Sequence, residues 1–198
     1  IILDHDTVSP SNLNRQLLAL HSTLGRKKTD VMRERLLDIN PDLALTVCDR
    51  FIHPSDAGGW LAAFAPDMLA DCIDSIACKA ALIAAAQARG IAVISAMGAG
   101  NRLDASRARI RSLNQTSGCP LARELRRALK AHGANLGYPV VYSDEPRRQP
   151  LPHQPVGGDV PGRARAVNGT ISYLPALFGI LMAGHIIQTL LGETASAS

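Results

Sequence analysis

Four cysteines are present, Cys48, Cys72, Cys78 and Cys119, but no two form a CxxC pair; the spacings are 24, 6 and 41 residues. That argues against a four-thiolate zinc site and fits a reducing, cytosolic setting. Cys48 and Cys72 fall in apolar, strand-like runs and are expected to be small buried hydrophobes. No internal repeat and no signal-peptide pattern are visible. No initiating Met stands ahead of Ile1-Ile2-Leu3-Asp4, an apolar strand running straight into an acid, so the sequence is expected to start inside a domain. Charge is absent from Ala166 to Gly192, and Ile171–Leu191 is long enough to span a bilayer. Pro175, His185, Gln188, Gly179 and Gly184 weaken that reading, and the expectation is a helix buried against a sheet or a partner subunit, with membrane contact as the minority alternative.

What is present is the composition of a globular chain: 198 residues, 46% apolar and 19% charged. Disordered, collagen-like and disulfide-scaffold classes are excluded. The net charge of +4 is too small to indicate a nucleic-acid partner, yet its distribution is uneven. Asn101–Arg165 holds 12 basic and 5 acidic residues, net +7, whereas the remainder holds 9 and 12, net −3. This zone is either a set of solvated helix faces with a basic loop or a surface for an anionic macromolecule.

Strand and helix signals alternate. Ile1–Asp4 reads as a strand, Lys27–Ile39 as a helix with Met32, Leu36 and Ile39 on one face, and Leu43, Leu45 and Val47 as a strand. A short helix at Ala57–Phe64, a strand at Met68–Ile73, a helix from Ile76 to Arg89 and a strand at Ile91–Ser95 follow. This order predicts an α/β, doubly wound, Rossmann-like fold, with a mainly parallel sheet and helices on both faces. Its ligand edge, at the strand carboxyl ends, would carry Asp4, Asp74 and Ala96-Met97-Gly98-Ala99-Gly100. The second half is less regular: a helix opened by Pro120 and ended by Gly133, a strand at Tyr138–Tyr142, then a long proline-rich crossover loop at 143–166.

Several residues at that edge suit phosphate chemistry. An acid at a strand end, such as Asp4, can hydrogen-bond a ribose, although Asp also serves turns. Asn12 and Arg15, three apart, share a face of a helical turn, and Arg presents a fork matched to phosphate. Lys28 opens a helix, whose N-terminus favours anions. Asp74 can meet a magnesium ion bridging phosphates, or act as N-cap of the following helix.

Taken in order, Ile2–Val8, Ser11-Asn12-Leu13-Asn14-Arg15-Gln16, Gly25-Arg26-Lys27-Lys28, Ile39-Asn40-Pro41 and Asp71-Cys72-Ile73-Asp74 resemble the ubiquitin-activating-like adenylating superfamily (the ThiF and MoeB-like group). Asp74-Ser75, Lys79–Ile83, Gly98-Ala99-Gly100 with Asp104, Val141-Tyr142-Ser143 with Glu145, and Gly169-Thr170 through Phe178-Gly179 are most similar to its tRNA threonylcarbamoyladenosine dehydratase branch. The resemblance implies one adenylating domain over 1–198, using ATP and Mg2+ to activate a carboxylate on a tRNA adenosine and then dehydrate it to a cyclic form. It implies Asp4 at the ATP ribose, Asn12, Arg15, Gln16 and Lys28 at the nucleotide and its phosphates, and Asp74 on the metal, with Arg15, Lys28 and Asp74 serving catalysis. It further implies a homodimer, a cytoplasmic location and tRNA on the basic surface around 102–165. A sulfur-transfer protein stands as a further candidate partner.

Three departures accompany it. The glycine-rich loop that follows the family's first strand is not found ahead of Ile1, which agrees with an N-terminally truncated domain. Asn101 and Ala105 stand where the branch often has Gly and Pro, and Val140 where some members have Cys. Two alternatives remain: adenylation of a ubiquitin-like sulfur carrier, against which the missing CxxC pairs and the absence of any cysteine after Cys119 count, and a non-catalytic binding scaffold.

Overall fold

The structure is a computed structural model and describes residues 1–149 and 169–192. Two sheets carry the fold. β1 (Ile2–Leu3) pairs in parallel with β2 (Val47–Cys48). β3 (Met68–Asp71), β4 (Ala92–Ala96), β5 (Ala108–Ser112) and β6 (Pro139–Ser143) form the second, in the order β3-β4-β6-β5. β3, β4 and β6 run parallel, and β5 closes the edge antiparallel to β6. The expected doubly wound arrangement is present, interrupted between the two sheets: β1 and β3 each keep one edge without a described partner strand.

Helices cover both faces. On one, α2 (Ala57–Phe64), α3 (Ile76–Gln87) and α4 (Pro120–Ala131) bury Leu61, Ile83, Leu125 and Leu129 against Val93 and Val140. On the other, α5 (Tyr173–Leu190) sets Phe178 and Met182 on Ile94 and Val141. Val140, at the position some family members give to cysteine, is therefore a fully buried core residue. α1 (Lys28–Ile39) lies against β2.

Three local expectations are corrected. The run Leu43–Val47 yields strand only at Val47–Cys48, because Asn40 and Leu43 close a turn directly after α1. Ile39 is 69% exposed, since α1 buries its first turn (Lys28, Thr29) rather than its last. Cys48 is buried as expected, but Cys72 is exposed: β3 ends at Asp71, and the chain then turns toward α3. The helix expected at Ile171–Leu191 is α5, of which only one face is buried. Most of the 143–166 crossover loop lies outside the described residues.

Candidate active site

Asp4 follows β1, where its amide donates to Cys48 O at 3.3 Å, and its Oδ1 accepts from the Asp6 amide at 2.9 Å. The chain then runs out and returns through Gly25, whose φ of +78° suits a residue without a Cβ, to a bridge between Thr7 and Lys27. This return sets the first residue of α1 over the Asp4–Asp6 turn. Lys28 donates its amide to Asp6 O at 3.0 Å; its Nζ lies 2.6 Å from Asp6 Oδ2 and 4.0 Å from Asp4 Oδ2. The hydrogen bond from Lys28 holds the Asp6 carboxyl below its ordinary value of 3.8, against the opposing effect of partial burial. Asp6, which sequence reasoning passed over, is thus the residue that aims Lys28. Thr29, next in α1, has a buried Oγ1 without a hydrogen-bond partner.

Asp4, His5 and Asp6 also bring ligand atoms within 4.8 Å of one another. Exposed acidic groups cluster without a metal, and Asp6 is already engaged by Lys28.

The second group sits in a turn of 3-10 helix at Pro10–Asn12 and the residues after it. Asn12 is buried, and its Oδ1 accepts from Ser9 N at 3.1 Å, leaving its NH2 group to donate outward. The Arg15 and Gln16 amides both donate to Asn12 O, at 3.1 and 3.0 Å, which stacks the three residues in one turn as their spacing predicts. Arg15 Nη1 is held by Ser11 O at 2.7 Å and Asn14 Oδ1 at 2.9 Å. Asn14 in turn donates to Thr170 O at 2.9 Å. Thr170 lines a cavity of about 360 Å³ together with Ile76, Gly98, Gly100 and Arg102. Asn14 therefore ties the arginine turn to the carboxyl edge of the main sheet.

Asp74 lies on that edge. Ser75, not Asp74, is the N-cap of α3, so the capping role weighed from sequence falls away. Asp74 is exposed, and its carboxylate has no hydrogen bond or ion pair among the described residues. In the turn after β4, Asn101 adopts φ +60°, a left-handed conformation that Asn tolerates better than most residues, which explains how it replaces glycine there. Behind it, Arg102 is buried and donates to three carbonyls, Gly98 O, Gly118 O and Glu145 O, at 2.9 to 3.1 Å, while the Glu145 carboxylate accepts from the Leu103 and Asp104 amides. These bonds clasp the three loops of the edge together.

With this geometry in place, the model of the ThiF family matches residues 1–198. The chain belongs to the ThiF family. It is 32% identical over 198 residues to the tRNA threonylcarbamoyladenosine dehydratase of Bacillus subtilis, covering 98% of this chain and 77% of that protein. The crystal structure of the Escherichia coli tRNA N6-threonylcarbamoyladenosine dehydratase in complex with ATP superimposes with a TM-score of 0.80 at 29% identity, covering 98% of this chain and 76% of that one. Similarity to the molybdopterin-synthase adenylyltransferase of Escherichia coli, 34% identical, covers 48% of this chain and 37% of that protein.

The lowered Asp6 value has a testable consequence. A carboxyl depressed in the folded state contributes stability above its unfolded value, and loses it as pH falls through the folded value. Asp6→Asn is expected to lower the urea midpoint at about pH 7, and the gap from the parent should close as the pH is taken below the folded value. A gap of the same size across that range would show that the loss does not come from the ionised Asp6 carboxylate, and so not from its charge pair with Lys28.

Proposed function

We propose that this ThiF-family protein uses ATP to activate the carboxylate of a threonylcarbamoyl group on a tRNA adenosine, and that it then dehydrates the group to its cyclic form. The observation that carries this reading is likeness along 98% of the chain to an ATP-bound tRNA-modifying relative. The likeness to a sulfur-carrier activator spans 48%.

The carboxylate oxygen attacks the α-phosphorus of ATP, and the bond to pyrophosphate breaks. A nucleophile within the same threonylcarbamoyl group then attacks the acyl carbon, and AMP departs with the transferred oxygen. The protein's part is positioning and charge neutralisation. Asp4 accepts from the ribose hydroxyls. Arg15, pre-aimed by Ser11 O and Asn14, and Lys28, aimed by Asp6, meet the phosphates, with Asn12 and Gln16 donating beside them. Asp74 offers an exposed oxygen donor without a competing partner among the described residues, which fits a hard cation. Bound there, a magnesium ion would neutralise the phosphate oxygens. In this reading the chain forms one adenylating domain over 1–198 and acts in the cytoplasm.

For tRNA, the basic zone has to be narrowed. Arg107 and Arg109 both pair with Asp144, at 2.7 and 3.2 Å, and Arg123 and Arg127 both pair with Glu124. Arg126 turns inward to the Leu113 and Thr116 carbonyls and the Thr116 hydroxyl, which takes it out of the basic surface. Arg111, Lys130 and Arg148 make no ion pair among the described residues and are the better phosphate contacts. The homodimer is proposed on α5, whose outer face shows Tyr173, Ile180 and Ile187 at helical spacing, continued by Leu191 just past its end, Ile180 being 68% exposed. A second copy would cover this stripe.

Incubation of full-length protein with unmodified-ring tRNA, ATP and Mg2+, followed by mass spectrometry of nucleosides, is expected to show loss of one water from the threonylcarbamoyladenosine. Asp74→Ala should retain the fold and lose this activity; full activity would remove Asp74 from the site. Lys130→Glu with Arg148→Glu should weaken tRNA binding and flatten its salt dependence by about two counterions, with ATP binding unchanged. Equal salt slopes would place the tRNA elsewhere. Ile180→Lys with Ile187→Lys should convert a sedimenting dimer to monomer, and an unaltered dimer would put the interface on another face.

A further inference from the structure

Inside the sheet, a cluster of three polar side chains is sealed from solvent. Lys79 and Asp71 are each almost wholly buried, with Nζ and Oδ2 2.7 Å apart, and Ser95 Oγ donates to the same oxygen at 2.6 Å. The register dictates this meeting, because Asp71 and Ser95 are direct partners across β3 and β4. Lys79 enters from α3, where it is the single charged residue among IACKAALIAAAQ. Its other two protons go to Ile73 O and Ala96 O, both at 3.0 Å, so all three donors are used. Asp71 Oδ1 accepts from the Ile73 amide at 3.1 Å. The Tyr138 hydroxyl is buried without a hydrogen-bond partner among the described residues, and burial, with a smaller effect of the Asp71 charge, pushes its phenol up.

Stability does not account for such a cluster. Desolvating two charges costs about what their attraction returns, and apolar replacements of buried pairs are often neutral or stabilising. β3 and β4 are joined by three further register pairs outside it, Met68–Ala92, Leu69–Val93 and Ala70–Ile94. What the cluster does reach is the ligand edge. Ile73 O immediately precedes Asp74, and Ala96 O ends β4, immediately before the turn whose Gly98 and Gly100 line the cavity.

We propose that Lys79, oriented by Asp71 and Ser95, is a positioning residue that clamps the Asp74 turn and the Ala96–Gly100 turn at a fixed separation across the active site. The clamp rests on the adenylation reading for its purpose, but its mechanical part can be tested separately. Two ligand-bearing loops leave the sheet on adjacent parallel strands, and one ammonium bonded to both backbones removes their independent motion. A misplacement of the order of an ångström between reacting groups can lower rates by about 100-fold, which is the scale at stake.

The test uses full-length protein carrying Lys79→Met, Asp71→Leu and Ser95→Ala together, which removes all three polar side chains. The variant is expected to unfold cooperatively within about 4 °C of the parent. Backbone amides of Ile73–Ser75 and Met97–Gly100 should exchange with deuterium faster than in the parent, with α4 and β6 unaltered. Its kcat should fall about 100-fold while the KM for ATP changes by less than about threefold. Unchanged exchange at both turns, or an unchanged kcat in a folded variant, overturns the clamp. Should the triple variant fail to fold, Ser95→Ala alone takes its place, with faster exchange at the Asp74 turn expected and parental exchange overturning the proposal. Faster exchange together with a parent that neither consumes ATP nor alters tRNA would keep the clamp and sink the adenylation reading, so the two failures are distinct.

Discussion

The Lys79–Asp71 ion pair joins the inside of the main sheet to its ligand edge. A lysine and an aspartate with no solvent exposure are tolerated only because every donor on the ammonium finds an acceptor, and because the carboxylate accepts from Lys79, Ser95 and Ile73. That requirement fixes where α3 sits over β3 and β4, and hence where Asp74, one residue ahead of the helix cap, leaves the sheet. The apolar residues of the two faces supply the bulk of the stabilisation. The polar cluster decides how accurately the edge is built.

Around this edge, the binding groups are set by neighbours that do not themselves touch a ligand in the proposed reaction. Asp6 sets Lys28, Ser11 O and Asn14 set Arg15, and Arg102 and Glu145 gather the loops. Asn14 links two of these assemblies by bonding Thr170 at the cavity wall. Catalysis by positioning demands this kind of support, since a phosphate site gains little from charges that swing freely.

Much of this was legible in the sequence, for stated reasons. α1, α2, α3 and α4 were readable from local periodicity and from punctuation such as Asn40-Pro41, Gly90, Pro120 and Gly133. Asp4 and Asp74 follow β1 and β3, as the strand patterns predict. What was hidden depends on contacts between distant segments. Asp71 reads from sequence only as the start of the Asp71–Asp74 motif at a strand end, and its register opposite Ser95 is what brings it to a buried partner. Arg126 counted as surface charge, although its partners are carbonyls 10 and 13 residues earlier in the chain. Cys72 and Ile39 were misjudged because apolar character says nothing about which element covers a residue. The sequence does carry one signal of the cluster: Lys79 is the lone charge in an otherwise apolar helix, the pattern of a buried cation in need of a partner.

The proposed reaction passes through an acyl-adenylate, in which a carboxylate oxygen becomes bonded to the α-phosphorus. Carboxylate labelled with oxygen-18 in the threonylcarbamoyl group of the tRNA tests that bond most directly, read by mass spectrometry of the nucleotide released in a single turnover. One labelled oxygen in AMP, with pyrophosphate unlabelled, is the predicted result. Unlabelled AMP, or ADP with label in orthophosphate, would contradict it.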